Sequence, residues 1–334
     1  MRKPPYPTVL KPYGSALLDA ALTRDDILCL TGDLTRQCEI DLFQDTIPER
    51  FIHCGMAEAN MMSLAGALAR KGHIPFVHTF GVFATRRPFD QIVNSIASPG
   101  LPVRIVGFMP GISSPGGPSH QAIDDIAIMR AIPGMTVIDV ADAVQTRQVV
   151  PQIIDMAGPV YLRLKRGEIP VIFDEGDPFS VGKAQVLAEG DMLAVIACGM
   201  MVPAALAAAE ILQTAGISVA VVNTPTIKPF DTETILGVAV TVRAVVASEN
   251  HSVIGGLGSA VAETLATSGL GRPLRRIGLQ DTFAEGAKSA AHLFRKYGLS
   301  TRDIVAAAWS ALGREDPLPT VPEMPAEAGE YAPV

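Results

Sequence analysis

The sequence predicts an α/β fold of two doubly wound domains, each built on a largely parallel sheet. Three observations predict it. Apolar runs of strand length alternate with longer stretches of helical periodicity, which is the pattern of βαβ units. The strand-like runs are continuously apolar, as strands covered on both faces require. The alternation stops once, in a run rich in Gly, Pro and charge, and then resumes. At 334 residues the chain exceeds one comfortable core, so two units are expected.

Taken in order, residues 14–24 read as a helix and ILCLTGDL as a buried strand closing on Gly32 and Asp33. Gly-Asp at a strand end is a turn signal and also a ligand position, and both readings stand for Asp33. RFIHCG follows as a strand, then a helix from Glu58, the strand HIPFVHTF, a helix over residues 86–97 and the strand LPVRIVGFM. A helix over 122–130, the strand MTVIDV, a helix over 142–157 and the strand GPVYLRL complete the first unit. GEIPVIFDEGDPFSVGKAQVLAEG breaks the rhythm, which places the boundary near residues 175–188 and the domains at 1–175 and 186–316. The second alternation runs through DMLAVIACG, a helix over 203–215, ISVAVVNT, a short helix after Pro229, RAVVASEN, the helix opened by GGLGSAVAETLA, PLRRIGL and two closing helices. From Glu315 the sequence is rich in Pro, Ala and Glu and reads as a loosely held tail, 317–334.

Composition excludes several function classes. A net charge of −7 and the lack of any basic stripe argue against nucleic acid or an anionic membrane as the partner. No apolar run is long enough for a spanning helix, and the proline-rich start MRKPPYPTVLKPYG lacks the apolar centre of a signal peptide. Cys29, Cys38, Cys54 and Cys198 show no zinc-type spacing. Buried free thiols in a reducing cytoplasm, and no metal site of the chain's own, are the expectation.

The stretch from Arg50 to Arg87 holds the most informative anomaly. Glu58 opens a segment whose next dozen residues are almost all apolar or small. On a helix, Met61, Met62 and Ala65 share its face, so the carboxylate points where burial is expected. A buried carboxylate is paired, protonated or reserved for a ligand. The alternative is an acid in the first helical turn, favoured by the helix dipole and half solvated. The next strand places Phe80 and Phe83 at or just past its end, where open α/β sheets bind ligands. An acid and two aromatics there suit a flat heterocycle.

Three further stretches matter. MPGISSPGGPSHQAIDD joins a strand to a helix through a Gly-, Ser- and Pro-rich loop ending at His120. That His suits a substrate hydroxyl or oxyanion; equally, Ser119 could cap the helix with His120 in its first turn. GPVYLRLKRG ends a strand in Arg163, Lys165 and Arg166, either an anion site or a solvated strand end. Gly255, Gly256 and Gly258 follow a strand but lack the G-x-G-x-x-G spacing, so tight helix packing or a subunit contact is preferred over a dinucleotide.

Together, GDL at Gly32, RFIHCGMAEANM, TFGVFATRRPFDQI, GGPSHQAIDDIAIMRAIPGMTV, GPVYLRLKRG and ENHSVIGGLGSAVAE resemble the C-terminal half of a transketolase, over about residues 8 to 313. The chain looks most like the separately encoded C-terminal subunit of bacterial split transketolases. The resemblance implies thiamine diphosphate and transfer of a two-carbon ketol unit between sugars. It matches Glu58 to the acid at the aminopyrimidine ring nitrogen, Phe83 to the aromatic stacked on that ring and Phe80 to its neighbour. Asp33 matches a residue near the thiazolium, His120 a substrate-facing histidine, and Arg166 a ligand of the substrate phosphate. The GDG motif with downstream asparagines that holds magnesium and diphosphate is missing. The resemblance therefore implies a partner, an N-terminal transketolase subunit carrying that motif, in an α2β2 assembly.

Departures from the family pattern point to an unusual sugar. Met109 stands where a His opens the substrate loop, ISSPGGPSHQ is shorter than its counterpart and lacks its two acids, and Leu10 or Lys11 stands where a phosphate-binding Arg is expected. Lost donors and acceptors alter which hydroxyls a site selects. A branched, deoxy or sulfonated ketose is expected. The competing readings are a 2-oxoacid dehydrogenase beta-type subunit and a non-catalytic relative that kept the fold.

Overall fold

The structure, a computed structural model, describes residues 1–177, 179–287 and 289–322. The strands of the first half are β1 (Thr8–Leu10), β2 (Ile27–Thr31), β3 (Phe51–His53), β4 (Ile74–Phe80), β5 (Arg104–Phe108), β6 (Thr136–Asp139), β7 (Val160–Leu164) and β8 (Glu168–Pro170). Those of the second half are β9 (Gln185–Ala188), β10 (Leu193–Ala197), β11 (Val219–Asn223), β12 (Thr226–Lys228), β13 (Ala244–Ser252) and β14 (Leu274–Leu279). One sheet has the order β12-β6-β7-β5-β4-β2-β3 and the other β14-β13-β10-β11-β9, with β1 and β8 forming a separate ribbon. All pairings within the two large sheets are parallel except β12 with β6 and β9 with β11.

The central strands are the continuously apolar runs. β2, β4, β5, β7, β10 and β11 are buried at every residue, because helices cover both faces. The helix Glu58–Arg70 forms from Ala, Leu and Met, ends at Lys71 and gives way to Gly72 in a left-handed turn (φ 93°). Its face Met61, Met62 and Ala65 packs with Leu30, Ile92 and Ile96.

The two halves are not independent. Met61, Ile126 and Met129 of the first belong to the same apolar cluster as Ile196, Val245 and Leu257 of the second. β12, from the second half, pairs with β6 of the first.

Three expectations need correction. The helix expected over 86–97 starts earlier and is broken, as Gly81–Thr85, Phe89–Gln91 and a π-turn Ile92–Ala97, because Pro88 has no N–H to continue the ladder. The helix expected over 122–130 begins only at Asp125. The tail from Glu315 is held at its start: Trp309 Nε1–H donates to Asp316 O at 2.8 Å, and Val321 packs on the second-half core. Residues 323–334 of the expected tail lie outside the described residues.

Under the first sheet, Tyr13 links two buried titratable groups. Glu39 accepts from the N–H groups of Tyr13 (3.1 Å) and Gly14 (3.2 Å), and the Tyr13 hydroxyl lies 2.7 Å from His78 Nε2. Burial pushes the Glu39 carboxyl up to about 7 and pulls the His78 imidazole down to about 4. Folded Glu39 holds its proton more tightly than the unfolded chain, so its stabilising term is full at low pH and is lost as pH rises from 4.5 to about 7. Folded His78 resists protonation, so its term is full above 6.5 and is lost as pH falls towards about 4. The two oppose each other over the same window. The stability advantage of the parent over Glu39→Gln should shrink by about 3 kcal/mol as pH rises through that window, and its advantage over His78→Gln should grow by about the same amount. Urea midpoints at both ends check this; slopes of the same sign for the two variants would contradict it.

Candidate active site

In sequence β2 is followed by β3 on one side of it and then by β4 on the other. Such a reversal leaves a crevice at the carboxyl ends of the strands. The segments that leave β2, β3, β4, β5 and β7 there carry Asp33, Glu58, Phe83, His120 and Arg166 respectively.

Glu58 is 4% exposed, in the first turn of its helix. Arg87 Nη1 donates to its Oε1 at 2.8 Å, and no described residue donates to Oε2. The Arg87 guanidinium also lies 4.1 Å above the Phe83 ring. Phe80 and Phe83 stack at 6.2 Å with their planes 21° apart, and His120 stands edge-on to Phe83 at 5.2 Å. Four of the residues singled out by sequence thus form one cluster, with Arg87 at its centre.

His120 sits in the loop and not in a helix. The Ser119 hydroxyl lies 2.9 Å from His120 Nδ1 and does not cap the helix, which starts only at Asp125. Arg86 ties this loop to the Phe83 helix: its Nε donates to both Asp124 oxygens (2.9 and 3.0 Å) and its Nη2 to Gln121 O (3.2 Å).

Asp33 is exposed and adopts φ 74°, a left-handed turn that Asp tolerates, with Oδ1 3.1 Å from His53 Nε2. Next to the preceding Gly32, Thr79 Oγ1 is buried without a hydrogen-bond partner among the described residues. Arg166 is half-buried and shows no hydrogen bond or ion pair among the described residues. Its charge reaches the buried Cys38 thiol. Lys11 is spent on an ion pair with Asp41.

Arg163 departs from both sequence readings. It is neither an anion site nor solvated but 0% exposed. Its Nε and Nη2 fork onto Asp125 (2.8 and 3.2 Å), Nη1 donates to Asp139 (2.6 Å), and Nη2 also donates to Asn250 O (3.1 Å). Burial works against its charge, but the two aspartates outweigh burial and hold it well above its ordinary range. Burial pushes the Asp139 carboxyl up, against the pull of Arg163.

The glycines of GGLG serve packing. Glu249 accepts from Leu257 N–H (2.7 Å) and Gly258 N–H (2.8 Å), and a Cβ on Gly256 would fall 1.9 Å from Glu249 Oε2.

The site can take a flat ring. The planar Arg87 guanidinium already lies over Phe83 while donating to Glu58, the two contacts a flat aminopyrimidine would ask of the same residues. Among the described residues no cluster of His, Cys, Asp or Glu could hold a metal, and no helix is long and apolar enough to cross a membrane.

Comparison with known proteins decides the family. Residues 7–171 match the transketolase pyrimidine-binding domain and 182–304 the transketolase C-terminal domain. The chain belongs to the transketolase family. It is 44% identical to a 6-deoxy-6-sulfo-D-fructose transketolase subunit of Clostridium sp. (strain MSTE9), over 91% of this chain and 94% of that protein. It is 41% identical to a putative transketolase C-terminal section of Methanocaldococcus jannaschii, over 90% and 94%. A solved split-gene transketolase, an inactive beta4 tetramer, is 42% identical with a TM-score of 0.84, over 92% and 98%. The transketolase of Campylobacter jejuni shares the fold (TM-score 0.77, 20% identity), with this chain spanning 47% of it. The chain is thus a subunit of a split transketolase, a transferase of a thiamine-dependent family. These matches favour that reading over a dehydrogenase subunit.

Sequence reasoning passed over Arg86, Arg87 and His53. The signals were present: Arg87 lies one helical turn after Phe83, and His53 ends a strand beside the one that ends before Asp33.

Proposed function

We propose that this chain is the pyrimidine-side half of a transketolase that moves a two-carbon ketol unit from an atypical, anionic ketose to an aldose. The observation that carries this is Glu58, buried and facing a slot above Phe83 that already holds a flat hydrogen-bond donor. Thiamine diphosphate, when bound, supplies the nucleophilic carbon that takes up the ketol unit. Glu58 holds a proton at the pyrimidine ring nitrogen, through the oxygen that Arg87 leaves free. Phe83, backed by Phe80, would hold the ring once Arg87 gives up its place over Phe83, and Asp33 would border the thiazolium side. His120, against the Phe83 edge, addresses the donor's hydroxyl and carbonyl oxygens. Arg166, with no ion pair among the described residues, takes the sugar's phosphate or sulfonate. The diphosphate and Mg2+ belong to an N-terminal partner subunit carrying GDG, in a cytoplasmic α2β2 complex. That a split-gene relative is inactive as a beta4 tetramer fits a half that needs its partner.

The sugar is inferred from Met109, from the acids missing in the 109–120 loop and from the sulfosugar relative. The test is reconstitution with a partner chain, assayed on a 6-sulfonated ketose and on xylulose 5-phosphate. This chain alone should be inactive and the complex should prefer the sulfonate. Full turnover by the chain alone would overturn the split reading, and equal rates on the two sugars would overturn the atypical donor. In the complex, Arg166→Ala should raise KM for the anionic donor about 10- to 100-fold, the loss of a charged hydrogen bond, and leave cofactor affinity unchanged. An unchanged KM would place the anion elsewhere.

A further inference from the structure

The loop that bears His120 is tethered at its ends by the first domain and held along its body by the second. At the ends, Met109 N–H donates to Leu164 O (3.0 Å) and Arg86 grips Asp124. Along the body, Asn250 Oδ1 accepts from Ile112 N–H (3.0 Å) and its Nδ2 donates to Pro110 O (3.0 Å). Ala287 N–H donates to Pro115 O (3.2 Å), Gln121 Nε2 to Glu285 O (3.1 Å) and Ser252 N–H to Ile123 O (2.8 Å).

Asn250 is the most exacting of these contacts. It is 1% exposed, it satisfies one N–H and one C=O on either side of Gly111, and its own carbonyl is fixed by Arg163. Gly111 adopts φ 56°, and a Cβ there would stand 2.2 Å from both the carbonyl oxygen and Oδ1 of Asn250. The backbone at Gly111 is thus pressed against Asn250 as closely as a chain can come. A side chain that pairs both neighbours of such a contact dictates where the loop runs, since neither buried group can part from it without losing its partner.

We propose that Asn250 is a positioning residue: from the second domain it sets the course of the loop from Met109 to His120, and so decides which ketose His120 can address. This rests on the reading that His120 faces the donor sugar. It gives the second domain, which contributes no residue to the Glu58–Phe83–His120 cluster, a part in donor choice.

Two variants approach the contact from opposite sides. Asn250→Ala removes the clamp, while Gly111→Ala leaves the second domain intact and forces the loop off it. In the reconstituted complex each should lower kcat/KM for the preferred ketose about 10- to 100-fold, the scale of an ångström of misplacement, mostly through KM. The preference over xylulose 5-phosphate should narrow, and cofactor affinity should stay within about twofold, as the same misplacement leaves the Phe83 slot intact. The double variant should be no worse than the worse single one, because both break the same contact. In the full chain alone, amide exchange should quicken over residues 110–122 and not in β2 or β4. Unchanged donor preference in the variant or variants that fold, unchanged exchange in the loop, or a matching fall in cofactor affinity would overturn the proposal. If the parent complex transfers no ketol unit from any sugar, the functional reading fails by itself, and the exchange measurement still decides whether Asn250 holds the loop.

Discussion

Glu58→Gln should leave a complex that assembles, takes up its cofactor and turns over about 10³-fold more slowly or worse, within the range that a positioned proton-transfer group contributes. The amide keeps the size of the side chain and can still accept from Arg87 at the place Oε1 now occupies. Phe80 and Phe83 therefore keep their arrangement, Arg87 keeps its partner in the ring-free site, and ring binding should change little. What the amide cannot do is hold and return a proton at the ring nitrogen. The substitution thus separates a residue that binds from one that moves a proton, which truncation to alanine would not, since it would also free Arg87 and open a cavity beside Met61 and Met62. The check is kcat in the reconstituted complex alongside cofactor affinity and subunit stoichiometry. Turnover within tenfold of the parent would remove Glu58 from the mechanism, and a loss of assembly would make it a structural acid.

Why some of this was legible in the sequence, and some not, follows from how local each cause is. The buried central strands are readable because a strand covered on both faces must be apolar at every position, as β2 and β4 are. β1, β8 and β9 escape notice because they are three or four residues long, antiparallel and only partly buried. The broken helix after Phe83 was signalled by Pro88, but hydrophobic period alone bridges such a break. Glu58 was visible because a charge among Met and Ala violates its own segment's pattern. Arg87 was not, because its contact with Glu58 joins residues 29 apart. Arg163 was misread for the same reason: strand alternation says which face a side chain takes, and nothing about the two aspartates and the second-domain carbonyl waiting there.

That last network carries the largest expected effect on stability. Arg163→Met should cost about 3 to 5 kcal/mol, because it leaves Asp125 and Asp139 buried with no counter-charge. The loss exceeds that of an ordinary surface ion pair because neither aspartate can turn to water: they are 0% and 3% exposed. Arg163→Lys should cost less but not be neutral, since one ammonium cannot reproduce the fork on Asp125 together with the bonds to Asp139 and Asn250 O. The penalty lies in the stranded charges and not in the lost attraction. Hence Arg163→Met combined with Asp125→Asn and Asp139→Asn should recover much of the stability that Arg163→Met alone gives up. The measurement is the urea midpoint of the four proteins at one pH, with loop exchange over residues 110–122 followed in parallel. Because Arg163 also fixes the Asn250 carbonyl, the triple variant should regain stability without regaining the loop's protection. A triple variant no more stable than Arg163→Met would mean that the arginine's own packing, and not the unpaired aspartates, sets the cost.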